Sequence, residues 1–101
     1  MSYHPTMNYA PTVFIVDDDP AVRDSLRWLL ESMRLKVITF DSAEAFLKFY
    51  NIHMVGCLVL DVRMPGMSGL QLQQYLTKQK YCLPIIFITG HGDIPMAVRA
   101  M

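Results

Sequence analysis

Cysteine is scarce in this chain: two of 101 residues. That is too few for a disulfide framework holding a small domain together. Cys57 and Cys82 lie in or beside apolar runs, so they read as reduced thiols in or near a core, in a cytoplasmic protein. No apolar stretch approaches the ~18 residues of a membrane span. The opening MSYHPTMNYAPT lacks a basic patch followed by an apolar segment, so it carries no signal-peptide pattern. Neither sign of charge is in excess, with nine basic and nine acidic residues. Such a balance does not suggest direct contact of this segment with nucleic acid or an anionic membrane. His4, His53 and His91 show no metal-ligand spacing, and no repeat or low-complexity tract is present.

What remains is apolar material. Hydrophobic residues make up 52% and charged residues 18%, enough for one core and not for two domains. Residues 1–11 carry two prolines and little periodicity, and read as a loose, flexible leader. Residues 12–101 read as one domain. TVFIVD (12–17) is a β-branched apolar run, a strand buried on both faces. Asp19-Pro20 fits an N-cap and a first-turn proline. The helix they open runs to about Met33, with Val22, Leu26, Leu29, Leu30 and Met33 on one stripe. KVITF (36–40) is a strand whose Lys36 and Thr39 suit a sheet edge.

Asp41 and Glu44 have capping-box spacing and open a helix to about Tyr50. Its apolar side is Phe46, Leu47, Phe49 and Tyr50. GCLVLD (56–61) is a third strand. Ser68 or Gly69 starts a third helix, with Leu72, Tyr75 and Leu76 facing inward. PIIFIT (84–89) is a fourth buried strand. Asp93 and Pro95 open a fourth helix, which the sequence leaves unfinished at Met101. The order βαβαβαβα implies a parallel sheet with helices on both faces. In such sheets ligands gather at the carboxyl ends of the strands.

The strand ends carry chemistry. The first ends in Asp17 and Asp18, the third in Asp61, the fourth in Thr89 and Gly90. If the first and third strands are neighbours, their tips lie ~5 Å apart. Two carboxylates at that distance repel by about 3 kcal/mol at an effective dielectric of 20. A hard divalent cation relieves that repulsion. Mg²⁺ fits an all-oxygen set of one or two carboxylates, waters and a phosphate. An ionised aspartate beside Mg²⁺, with a hydroxyl nearby, is equipped to attack phosphorus. Asp61 is the candidate phosphoryl acceptor, Thr89 a donor to the phosphoryl oxygens, and Gly90 a residue that leaves them room. Blander readings stand beside this one. Asp17–Asp19 could only cap a helix, Asp61 could be turn chemistry before Pro65-Gly66, and Arg23, Arg27, Arg34 and Lys36 read as a solvated face.

VFIVDDDPAVRDSL, LVLDVRMPGMSGLQL and PIIFITGHGDIPMAVRAM resemble the receiver domain of bacterial two-component response regulators. The last is similar to the FixJ-like branch, whose members often carry a LuxR-type helix-turn-helix effector. The resemblance implies a flavodoxin-like (CheY-like) α/β three-layer sandwich with strand order 2-1-3-4, lacking the fifth strand and fifth helix. It implies Asp61 as phosphoacceptor and a Mg²⁺ site of Asp18, Asp17, Asp61 and the backbone carbonyl of Arg63. It also implies Thr89 as switch hydroxyl and a sensor histidine kinase as donor. Further implied are a transcriptional output through a helix-turn-helix domain in the parent protein, and a homodimer through the fourth helix and fourth strand. The family's lysine lies downstream of the switch hydroxyl, and no lysine follows Thr89, so none is assigned. Without a fifth strand, PIIFIT would be an exposed apolar edge and one sheet face would lose its cover.

Two other functions fit parts of the pattern. A phosphatase of the haloacid-dehalogenase type would use Asp17 as nucleophile and Asp19 as second acid, although Ala21 departs from that family. A module that never phosphorylates would serve only interaction.

Overall fold

Thr12 to Val16 and the other apolar runs do form strands. The computed structural model describes residues 10–89 and 98–100. Along them run β1 (Thr12–Val16), α1 (Pro20–Ser32), β2 (Lys36–Phe40), α2 (Ala43–Phe49), β3 (Gly56–Asp61), α3 (Gly69–Lys78), β4 (Ile85–Ile88) and β5 (Val98–Ala100). The sheet order is β2-β1-β3-β4-β5. The first four strands are parallel. Val16 pairs with both Phe40 and Leu60, and Asp61 with Ile88, so the strand ends form one level rim.

Topology decides which face each helix covers. From β1 the chain steps outward to β2, then back past β1 to β3 and on to β4. Right-handed crossovers therefore put α1 on one face and α2 with α3 on the other. The second face is the finished one. Phe14, Val16, Leu58, Leu60, Ile85 and Phe87 of the strands meet Ala43 and Phe46 of α2 and Leu72 and Leu76 of α3, all buried. Phe46 is the hub of an aromatic cluster, with ring centroids 5.6 Å from Phe14, 5.4 Å from Phe40 and 5.2 Å from Tyr50.

The opposite face is half covered. Ile15 is fully buried, but Cys57, Val59, Ile86 and Ile88 are only half-buried. No residue of α1 is fully buried. Val22, Leu26 and Leu30 of the expected stripe are half-buried, whereas Leu29 and Met33 are exposed. The reason is reach: among the described residues α1 packs chiefly on β2 and less on β1. Tyr75 of α3 and Phe49 of α2, expected inward, are also exposed.

Three expectations are corrected. The helix read from Asp93 to Met101 does not extend over Val98–Ala100, which pair antiparallel with β4. Residues 90–97 and 101, Asp93 and Pro95 among them, lie outside the described residues. For the same reason β4 is not an open edge. Its outer backbone groups would otherwise lack partners in the sheet, and a short isolated helix has little intrinsic stability to set against that pairing. The third correction concerns α2: its N-cap is Ser42, whose hydroxyl accepts from the Ala45 amide at 3.0 Å, not Asp41.

Replacing Phe46 by alanine leaves a void at the meeting point of three rings. We expect Phe46→Ala to cost about 3–5 kcal/mol, measured by urea unfolding. A loss below 1 kcal/mol would contradict the aromatic cluster as the anchor of α2.

Candidate metal centre at the strand ends

Because β1 and β3 pair in register, Asp17 follows Val16 directly beside Leu60 and Asp61. Asp17, Asp18 and Asp61 each present a carboxylate oxygen within 4.8 Å of one another. Asp17 and Asp61 are both 2% exposed, while Asp18 is exposed. The donor set is oxygen only, with no histidine or cysteine. That chemistry fits a hard divalent cation such as Mg²⁺ and not a softer metal.

Asp17 and Asp61 are held by backbone contacts. The Asp17 amide donates to the Phe40 carbonyl at 3.1 Å, and its Oδ1 accepts from the Asp19 amide at 2.9 Å. Arg23 Nη1 donates to the Asp17 carbonyl at 2.7 Å. Asp61 Oδ1 accepts from the Arg63 amide at 3.3 Å, which restricts rotation of the carboxylate. Asp19 takes no part in the cluster. It caps α1, its Oδ1 accepting from the Ala21 amide at 2.9 Å.

The loop after Asp61 is tied back to the sheet. The Val62 amide donates to the Ile88 carbonyl, and the Gly69 amide to the Val62 carbonyl, both at 3.1 Å. Position 69 requires glycine: a Cβ there would stand 2.2 Å from the Asp61 carbonyl oxygen. Ser68 caps α3 in a reciprocal capping box with Gln71, as the sequence allows. Arg63 itself is exposed and, with Asp18, Met64 and Pro65, lines an open depression at the rim. Thr89 is half-buried one residue beyond Ile88, the partner of Asp61. Gly90 and His91 lie outside the described residues.

Burial pushes the Asp61 carboxyl up to about 6, with the Asp17 charge second and Asp18 adding to it, against the opposing Arg63 amide. Asp17 is also raised, first by burial, and then by the Asp18 and Asp19 charges; the Asp19 amide and Arg23 oppose it. Arg23 was read from sequence as part of a solvated face. Its signal was positional: a cation in the first turn of a helix opposes the macrodipole and calls for an upstream partner.

Comparison with known proteins bears on most of the chain. The family model described as Response regulator receiver domain matches residues 13–101. The transcriptional regulatory protein TdiR of Thauera aromatica is 53% identical over 92 residues, 91% of this chain and 40% of that protein. The chain thus spans about 40% of the curated relative's length. The crystal structure of FixJ-N superposes with a TM-score of 0.76 at 46% identity, covering 87% of this chain and 70% of that one. A structure of response regulator TrrA from Thermotoga maritima, in complex with Mg²⁺-BeF, gives a TM-score of 0.71 at 29% identity, covering 81% of this chain and 71% of that one.

A pH dependence follows from the raised carboxyl. The ordinary value is 3.8 and the folded one about 6. Asp61 therefore contributes stability fully present below about 3.8 and lost as pH rises through about 6. In EDTA, Asp61→Asn should melt near wild type at pH 4 and increasingly above it as pH rises to 7.5. Mg²⁺ at pH 7.5 should raise the wild-type melting temperature and leave Asp61→Asn nearly unmoved. A wild-type-to-variant difference that stays flat with pH would contradict the assignment.

Proposed function

Since the chain belongs to the response regulator receiver domain family, a signalling family, we propose that Asp61 accepts a phosphoryl group from a phosphohistidine of a sensor kinase. The observation that carries this is the buried Asp61 carboxylate within 4.8 Å of Asp17 and Asp18 at a sheet rim. Asp17, Asp18, Asp61 and the Arg63 backbone carbonyl would hold Mg²⁺. When bound, the ion supplies positive charge to the cluster and to the transferring phosphoryl oxygens.

The chain's own residues do the rest. One Asp61 oxygen forms a bond to phosphorus as the phosphorus–nitrogen bond of the donor breaks. The bonding electrons leave with the imidazole. The Arg63 amide on Oδ1 orients the carboxylate for attack. Thr89 supplies a hydroxyl for the phosphoryl oxygens, with Gly90 beside it. Turning Thr89 toward the phosphoryl group shifts a pre-existing equilibrium in β4 and the segment that follows it. In the parent protein this controls dimerisation and a DNA-binding effector, in the cytoplasm. TdiR is itself called a transcriptional regulatory protein. Among the described residues no helix is long and apolar enough to cross a membrane.

The phosphatase reading is weakened by Asp19, which is spent on the cap of α1 rather than facing Asp17's partners. The test is incubation with acetyl phosphate and Mg²⁺, read by intact mass. Wild type should gain one phosphoryl group, and Asp61→Asn and the EDTA control none. Label on Asp17 with steady release of phosphate would instead support the hydrolase. No label in wild type would leave only the interaction module.

A further inference from the structure

Glu44 lies in the first turn of α2, where an acid is expected to favour the helix dipole. The sequence pairs it locally with Asp41. The structure turns it elsewhere: Oε2 accepts from the backbone amide of Met67, 23 residues on, at 3.2 Å. The same oxygen stands 3.0 Å from where a Cβ on Gly66 would be, and Gly66 has φ +76°, a conformation that side chains rarely adopt. The Gly66–Met67 turn and the Glu44 carboxylate are thus shaped to each other.

That turn belongs to the loop carrying Arg63. One end is tied to the sheet through Val62 and Ile88, and the other through Gly69 and Val62. Met64 is plugged into the core. Between Met64 and Ser68 the Met67 side chain packs against the core, and the carboxylate of Glu44 adds a hydrogen bond from α2 to the backbone of the turn. We propose that Glu44 is a positioning residue for the metal centre. Its carboxylate latches the Gly66–Met67 turn to α2 and so sets the path of the backbone whose Arg63 carbonyl faces the cation. This rests on the Mg²⁺ reading above. Glu44 is exposed, so water competes for the bond and its share of global stability is small. Its effect lies in loop geometry.

Two near-isosteres separate reach from charge. Glu44→Gln keeps the acceptor oxygen and loses the charge; Glu44→Asp keeps the charge and loses one methylene of reach. Hydrogen exchange of the Met67 amide is followed in EDTA, and Mg²⁺ affinity by calorimetry on the same 101-residue chain. Glu44→Asp should expose the Met67 amide and weaken Mg²⁺ binding by about tenfold, the low end for outer supports of a metal site. Glu44→Gln should stay near wild type in both, and neither variant should shift the melting temperature much. Unchanged Met67 exchange in Glu44→Asp overturns the latch. So does Glu44→Gln losing Mg²⁺ affinity while Glu44→Asp keeps it, since charge alone would then explain the effect. If wild type binds no Mg²⁺, the metal role falls with the reading it rests on, and the Met67 exchange still decides whether the latch exists.

Discussion

Parallel pairing of β1 with β3 forces two buried carboxylates side by side, and most of the molecule's chemistry follows from that. The register leaves no freedom: with Val16 opposite Leu60, Asp17 and Asp61 must emerge together. Both are nearly inaccessible, so water screens their repulsion poorly. The chain answers with the partial positive charge of the Asp19 and Arg63 amides and the full charge of the Arg23 guanidinium on the Asp17 carbonyl. Even with these donors Asp61 is pushed up to about 6, first by burial and then by the Asp17 charge. In the proposed metal reading a hard divalent cation would offset both.

Packing is distributed to suit that task. Phe14, Val16, Leu58 and Leu60, the residues directly beneath Asp17 and Asp61, lie on the finished face against Phe46 and Leu72. The proposed acceptor and metal acids therefore follow the most buried strands of the sheet, as a site needing sub-ångström placement should. Thr89 stands at the end of β4, where Ile86 and Ile88 are only half-buried. Regions with fewer buried contacts open at lower cost. In the proposed switch, the group that moves is built on the less buried strand, and the groups that must not move are built on the central pair.

The first four strands and the acids at their ends were legible because each rests on a strong local signal, whereas the strand order came with the family resemblance. TVFIV, GCLVLD and PIIFIT are apolar runs too short for helices, and the alternation with helical stripes left few topologies. Helix ends were less legible. Both α1 and α3 close through a residue in the left-handed region, Arg34 at φ +64° and Lys80 at φ +62°. The Leu35 and Tyr81 amides return to Leu30 and Leu76 respectively, the pattern usually marked by glycine. Arginine and lysine give no such mark. Long-range uses of polar side chains were invisible for a different reason. Arg23 and Glu44 each satisfied a bland local reading, and only three-dimensional contact shows Arg23 on the Asp17 carbonyl and Glu44 on the Met67 amide. The strand at Val98–Ala100 likewise answers a need of β4, not a pattern within VRA.

Three consecutive acids, Asp17, Asp18 and Asp19, show how one local conformation assigns three roles. The chain bends at Asp18 after β1 and is extended again at Asp19, φ −89°, ψ 113°, before the helix begins. Across that bend Asp17 is buried at the cluster, exposed Asp18 also reaches it, and Asp19 is turned to the first free amides of α1. Exchanging the roles would need a different exit from the strand. An Asp17–Asp19 pair acting on one substrate would have to give up the cap, leaving the Ala21 amide without its acceptor. The same hydrogen bond that starts α1 thus argues against hydrolytic use of this motif and leaves Asp61, on the neighbouring strand, as the proposed acceptor.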